Sequence, residues 1–372
     1  MTESTTGSTA GPTTGTGVPG GPVDGPLDGA PGGPSAAELR ALVAAAGAAP
    51  SLHNAQPWRF RPTGDGPGVL VFADPARAVP LADPDGRGML LSVGAALFNL
   101  RVAAAQLGLP VEELDLMPGP SGVAGPDGPD GPVAVVRFGP RGVPYEPAEL
   151  AGEIGRRHSS REPFGNRDVP EAVIGELVEA AADEDAVLEV LEEAEARRVL
   201  ALTAEAEARI AADAARRAET ARWLRAEPVG TAGAAGPVHA VRDGIPERAL
   251  GPQDHEARVP VRDFAGHGPV RTRRFEALPQ VATVATRGDT AADWLRAGQA
   301  MERVWLVATA RGLRVSVLHQ AVELPDTRWR LRDPESGIGT VQVVLRVGYG
   351  PPGAATPRRD VDDLLRDPAG ER

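Results

Sequence analysis

Hydrophobic positions recur at helical spacing in several stretches and alternate or cluster in others. The pattern predicts helices over 35–46, with Ser35 as N-cap and Leu39, Leu42 and Val43 on one face, and over 89–107, 148–157, 172–182 and 291–311. A long charged helix, whole or broken, is expected over 192–224. Valine-rich runs predict strands at 68–72, 133–138, 186–190, 280–286 and 340–347. Residues 1–34 are mostly threonine, glycine and proline with almost nothing large to bury, so they read as a disordered tail, and 363–372 read as a C-terminal tail. Residues 118–132 form a Gly/Pro/Asp loop. The stretch 225–275 shows no period and is rich in Gly, Pro, Arg and His.

The two parts of the chain echo each other. Gly94 and Gly108 flank a helical run that matches the run between Gly298 and Gly312 at the same spacing. Ala96, Ala104 and Leu109 correspond to Ala300, Ala308 and Leu313. A Val-rich strand follows later in each case. The repeat suggests duplication of an α+β unit, with one half at 35–145 and the other at 146–362. Such halves would pack as a pseudo-dimer about an internal two-fold, within a monomer.

Composition narrows the chemistry. The chain has 372 residues, enough for two units or one large one, and a net charge of −12, which speaks against a broad nucleic-acid surface. All 39 basic residues are arginine, so lysine Schiff-base chemistry is excluded. There is no cysteine, which excludes disulfides, thiolate catalysis and Cys-ligated metals. The six histidines show no metal-ligand spacing. No Walker A, Gly-x-Ser-x-Gly or correctly placed dinucleotide glycine run occurs. The apolar runs read as too short to span a bilayer, and the first residues lack the make-up of a secretory signal, so a cytoplasmic protein with no membrane partner is expected.

Three segments concentrate polar chemistry. Pro50-Ser51-Leu52-His53-Asn54-Ala55-Gln56-Pro57-Trp58 offers a hydroxyl, an imidazole and two amides within six positions, a set able to hydrogen-bond a flat, polar-edged heterocycle without net charge. The same residues would also serve as a capped loop with Trp58 in the core. Arg156-Arg157-His158-Ser159-Ser160-Arg161 joins guanidinium forks to hydroxyls, as a phosphate cradle does, or as a basic helix end does. Thr356-Pro357-Arg358-Arg359 is either a second phosphate clamp or a solvated pair.

The first segment resembles the Pro-Ser-x-x-Asn-x-Gln-Pro-Trp signature of the flavin-dependent nitroreductase superfamily, and 157–161 resembles its Arg-x-Ser-x-Arg/Lys signature. The Gly298 helix is similar to its dimer helix, and Arg358-Arg359 to its closing basic residues. The whole resembles the Acg-type FMN-binding branch, in which two nitroreductase-like halves are fused. The resemblance implies one FMN site between the halves and one decayed site. Its phosphate would sit on Arg157, Ser159 and Arg161, with His158 contributing backbone and Arg358 or Arg359 closing over it. Ser51, His53, Asn54 and Gln56 would approach the ring from the first half, and His319 and Gln320 would lie near it. The implied activity is NAD(P)H-dependent reduction of small electron-poor acceptors such as nitroaromatics and quinones. No side-chain acid or base is required. Residues 225–275 would be a lid insertion, containing the Asp243-Gly244-Ile245-Pro246 run typical of that branch. A closed lid leaves open a flavin-sequestering protein without useful turnover.

Overall fold

The computed structural model describes residues 33–117, 131–225, 242–264, 271–332 and 339–365. The 1–34 tail and the 118–132 loop lie almost wholly outside them, and so does part of 225–275.

In chain order the first elements are α1 (Ala36–Gly47), β1 (Trp58–Pro62), β2 (Gly68–Ala73), α2 (Arg87–Gln106), β3 (Val111–Leu116) and β4 (Ala134–Phe138). Next come α3 (Ala151–Ile154), α4 (Glu171–Ala182), β5 (Val187–Val190), α5 (Glu193–Ala212) and α6 (Ala214–Arg222). The insertion carries four two-residue strands: β6 (Leu224–Arg225), β7 (Ile245–Pro246), β8 (Gln253–Asp254) and β9 (Thr272–Arg273). The chain then forms β10 (Gln280–Thr286), α7 (Ala291–Ala310), β11 (Arg314–Val317), α8 (Gln320–Glu323), α9 (Pro325–Arg330), β12 (Thr340–Gly348) and α10 (Val361–Leu365).

Two four-stranded antiparallel sheets share one connectivity. One runs β1-β2-β4-β3, with α2 between its second and third strands in sequence. The other runs β5-β10-β12-β11, with α7 in the same place. The fold is therefore α+β, of mixed helices and antiparallel sheets. Ser35 caps α1 through a full capping box with Glu38, and Trp58, Phe60 and Val71 turn wholly inward from the first sheet.

The two central helices lie against each other, and glycine is what lets them touch. A Cβ on Gly94 would overlap the Leu295 carbonyl oxygen and lie 3.1 Å from Gly298 Cα. A Cβ on Gly298 would overlap the Leu91 carbonyl oxygen and lie 3.0 Å from Gly94 Cα. The contact is reciprocal, as at a local two-fold.

Several expectations need correction. By length and composition α2 could cross a membrane, with mean hydropathy 1.5, but its most apolar stretch is 94% buried in the protein and forms the core. The helix expected over 148–157 is only a short 3-10 turn, Ala148–Leu150, followed by α3. Gly152 and Gly155 weaken it, and Arg157 turns inward instead of continuing it. Of the two forms expected for the charged helix, whole or broken, the broken one is found: it parts at Asp213, whose extended backbone (ψ 111°) and side chain start α6. Strands β3 and β11 were not expected. The tail expected from 363 is still folded at Leu364, which packs against Gly47.

Candidate functional site

A cavity of about 980 Å³, counting its open mouth, lies over the α2–α7 contact. Leu91 and Ser92 of α2 face Met301 and Trp305 of α7 across it. Residues 50–53 close one side and 316–320 another, and Val259 to Arg262 of the insertion, with Phe264, form the remaining wall. Among the described residues, no carboxylate lines it. A second lobe of about 440 Å³ adjoins it, sharing Pro50, Ser51, His53, Ser159, Arg161 and Ile245, and continues to Arg157, His158 and Arg358.

The 50–58 loop owes its shape to backbone that non-glycine residues rarely adopt. His53, Asn54 and Gln56 have φ of 52°, 54° and 53°. Such strain persists only where surrounding contacts over-determine it. Here the Ser51 hydroxyl accepts the Gln56 N–H at 2.9 Å. Asn54 donates to the carbonyls of Gly244 (2.9 Å) and Pro357 (3.0 Å). Gln56 donates to Arg242 O at 2.8 Å and accepts the Arg359 N–H at 2.8 Å. The loop is thus tied to both the insertion and the C-terminal segment.

Two of the expected site residues lie outside both lobes. Gln56 is fully buried and lines neither lobe. Arg359 also lines neither, and donates to Gln56 O (3.2 Å) and Trp58 O (3.3 Å). Both are braces of the loop, because their polar atoms are already committed inside the protein. Asn54 borders the smaller lobe, with its amide engaged behind it. Ser51 and His53 line both lobes.

The far end of the smaller lobe is cationic. Arg161 donates to Ala249 O at 2.9 Å and stacks on Phe264. Arg358 donates to Asn54 Oδ1 and Ala48 O, each at 3.0 Å. Among the described residues, neither guanidinium has a carboxylate within 4.0 Å. Burial, reinforced by Arg262, lowers the Arg161 pKa to about 10. Burial, reinforced by Arg157, lowers that of Arg358 to about 9. Both remain charged at neutral pH. Arg157 differs: it lies 3.1 Å from Glu302 Oε1, donates to Ala48 O at 3.1 Å and stacks on Trp305. His158 is depressed by burial and then by Arg157 and Arg358, so it adds no charge at neutral pH. Ser159 lines both lobes.

The sequence reading missed three groups. Arg262 reaches from the insertion to pair with Glu323 and lies 3.3 Å from His53 Nε2. Burial raises Glu323 to about 7, opposed by that arginine, and lowers His53 to about 3. Glu302 is wholly buried on α7. Its signal was legible: a carboxylate within the apolar run Ala300-Met301-Glu302-Arg303-Val304-Trp305 needs a buried partner. Arg262 had no such signal, because it sits in an aperiodic insertion. His319 and Gln320 line the main cavity.

Together these residues define a two-lobed site. An apolar, hydrogen-bonding lobe suits a flat ring system, and a cationic lobe suits an attached anion. No family model matches the chain. The Mycobacterium tuberculosis H37Rv protein "Putative NAD(P)H nitroreductase Rv3131" is 30% identical over 347 residues, covering 90% of this chain and 93% of that protein. "Putative NAD(P)H nitroreductase acg" of the same strain is 27% identical over 335 residues, covering 88% and 95%. The chain belongs to this nitroreductase family. The crystal structure of a nitroreductase with bound FMN from Bacteroides fragilis is 15% identical, with a TM-score of 0.32, over 57% of this chain and 93% of that one.

Proposed function

We propose that the protein is an FMN-dependent oxidoreductase that takes electrons from NAD(P)H and passes them to a small electron-poor acceptor, a nitroaromatic or quinone. The observation that carries this reading is the pair Arg161 and Arg358. Two half-buried guanidinium groups that line this lobe, with no carboxylate within 4.0 Å among the described residues, leave positive charge there that an anion completes. The FMN phosphate supplies that anion, and the adjoining apolar cavity supplies room for the ring. Relatives named as NAD(P)H nitroreductases support the same reading.

On this reading Arg161, Arg358 and Ser159 hold the phosphate, and Arg157 backs them from its pair with Glu302. Leu91, Met301 and Trp305 exclude water from the ring, while Ser51, His53, His319 and Gln320 present polar edges to it. When bound, FMN supplies two-electron chemistry that no side chain here can perform. His53 stays neutral at working pH and so adds no positive charge beside the ring.

The two halves, 35–145 and 146–362, are in this reading fused copies of one unit with a single working site. In the register that pairs Gly94 with Gly298, Arg101 takes the place of Trp305. There Arg101 pairs with Glu184, and Arg303 meets Glu184 (3.1 Å), Glu146 (2.7 Å) and Asp183. Those acids disfavour a phosphate. The protein would act as a cytoplasmic monomer.

Titrating the purified chain and its Arg161→Ala/Arg358→Ala variant with FMN and with riboflavin tests the proposal. Each lost charged hydrogen bond costs about 1.5–3 kcal/mol, so the double variant should lose at least ~100-fold in FMN affinity and little in riboflavin affinity. Equal affinity of wild type and variant for FMN would refute the phosphate assignment. A second reading, flavin storage, is favoured by the Arg262 pair that holds the insertion against the cavity. It is supported if bound FMN stays oxidised under NAD(P)H and becomes reducible in Arg262→Gln.

A further inference from the structure

The smaller lobe carries three guanidinium groups, Arg157, Arg161 and Arg358, and among the described residues the carboxylate that bears on them is that of Glu302. Glu302 is 0% exposed and Arg157 2%. Arg157 and Arg358 both donate to one acceptor, Ala48 O at the end of α1, at 3.1 and 3.0 Å, so two like charges are held side by side. Such a pair repels unless a counter-charge lies within reach. Glu302 is that counter-charge. Its Oε1 lies 3.1 Å from Arg157 Nε, and Trp305 covers the guanidinium face.

We propose that Glu302 is a charge-setting residue: it neutralises Arg157 and leaves the lobe with a net of two positive charges, matched to the dianion of a terminal phosphate monoester. Arg157 is then a positioning residue, which fixes Ala48 and Arg358 from behind while Arg161 and Arg358 meet the phosphate. This rests on the function proposed above and specifies its ligand class, a monoester rather than a diester or an unphosphorylated flavin. It also departs from the expectation that Arg157 is itself a phosphate ligand.

The alternatives separate in a double-substitution cycle on the full chain, read as the dissociation constants of FMN and riboflavin by flavin fluorescence. In Arg157→Gln the Glu302 carboxyl, which burial raises to about 7 even against Arg157, stands alone beside Arg358, so the titrations are read at pH 8, above that value. FMN affinity is expected to fall by roughly 10- to 100-fold, with riboflavin hardly affected. Adding Glu302→Gln removes both partners and returns the lobe to two positive charges. The double variant should then bind FMN more tightly than Arg157→Gln, short of wild type by what Arg157 adds in fixing Ala48 and Arg358, since coupled partners removed together cost less than either alone. Because it leaves no unpaired buried charge, it also serves if Arg157→Gln folds poorly. A double variant as weak for FMN as Arg157→Gln would overturn the proposal and make Arg157 a direct ligand. So would an Arg157→Gln variant that binds FMN like wild type. If wild type itself does not distinguish FMN from riboflavin, it is the parent reading that fails.

Discussion

Replacing Gly298 by alanine tests how the site is assembled, because the cavity lies across the α2–α7 contact. The added Cβ would lie 3.0 Å from Gly94 Cα and overlap the Leu91 carbonyl oxygen. Carbon atoms sit comfortably at about 3.5–4.0 Å, so the helices must part by roughly 0.5–1 Å. Both obstacles are backbone, so no side chain can swing aside. Overpacking of this kind costs about 1–3 kcal/mol, and here the upper end is expected. For a chain of this size that corresponds to a fall in Tm of about 5 °C. The same parting would move Leu91 and Ser92 away from Met301 and Trp305, and FMN affinity should drop with stability. Gly175→Ala is the control. Gly175 is exposed in α4, and a Cβ added there would meet nothing within 4 Å, so alanine should stabilise by ~0.5–1 kcal/mol through helix propensity. Thermal melts and FMN titrations of both variants decide the matter. A Gly298→Ala protein that melts and binds like wild type would refute the claim that the glycine contact sets the cavity.

Further outcomes follow from single residues. Arg359→Ala removes donors to Gln56 O and Trp58 O, so it should cost ~1–2 kcal/mol in urea unfolding. Because Arg359 lines neither lobe, its loss should weaken FMN less than Arg358→Ala does in the same titration. His53 is held neutral by burial and then by Arg262, with its pKa lowered from 6.5 to about 3. The unfolded chain therefore binds the extra proton first, and this contribution is intact above pH ~6.5 and lost as pH falls toward ~3. Asparagine tolerates the left-handed backbone at this position, so His53→Asn should flatten that part of the stability-versus-pH curve by up to ~5 kcal/mol. An unchanged curve from urea melts at stepped pH would sink the assignment.

Much of this arrangement was legible in the sequence, and the gaps have physical causes. Residues 280–286 alternate and carry β-branched side chains, and β10 has those bounds. Ser35 announces the start of α1, whereas the Gly94/Gly298 spacing suggested a repeated unit and not the backbone contact that these glycines make. Strand β3 was hidden because Val111-Glu112-Glu113-Leu114-Asp115-Leu116 is acidic and lies at a sheet edge, where few apolar residues are needed. Strand β11 is four residues long and follows a helix directly. At the site, the loop, the cationic segment and Arg358 could be named from motifs. Their commitments could not, because Gln56 meeting Arg359 and Arg157 meeting Glu302 are contacts between residues far apart in the chain. Local pattern says which groups are polar; only the packing says which are already satisfied.

The most direct test of the central claim is the visible absorption spectrum of the purified, FMN-reconstituted protein, recorded without oxygen before and after NADPH or NADH is added. The expected result is a retained flavin band that bleaches with one of the two donors and returns when a quinone is supplied. Protein that cannot retain FMN after gel filtration would contradict it.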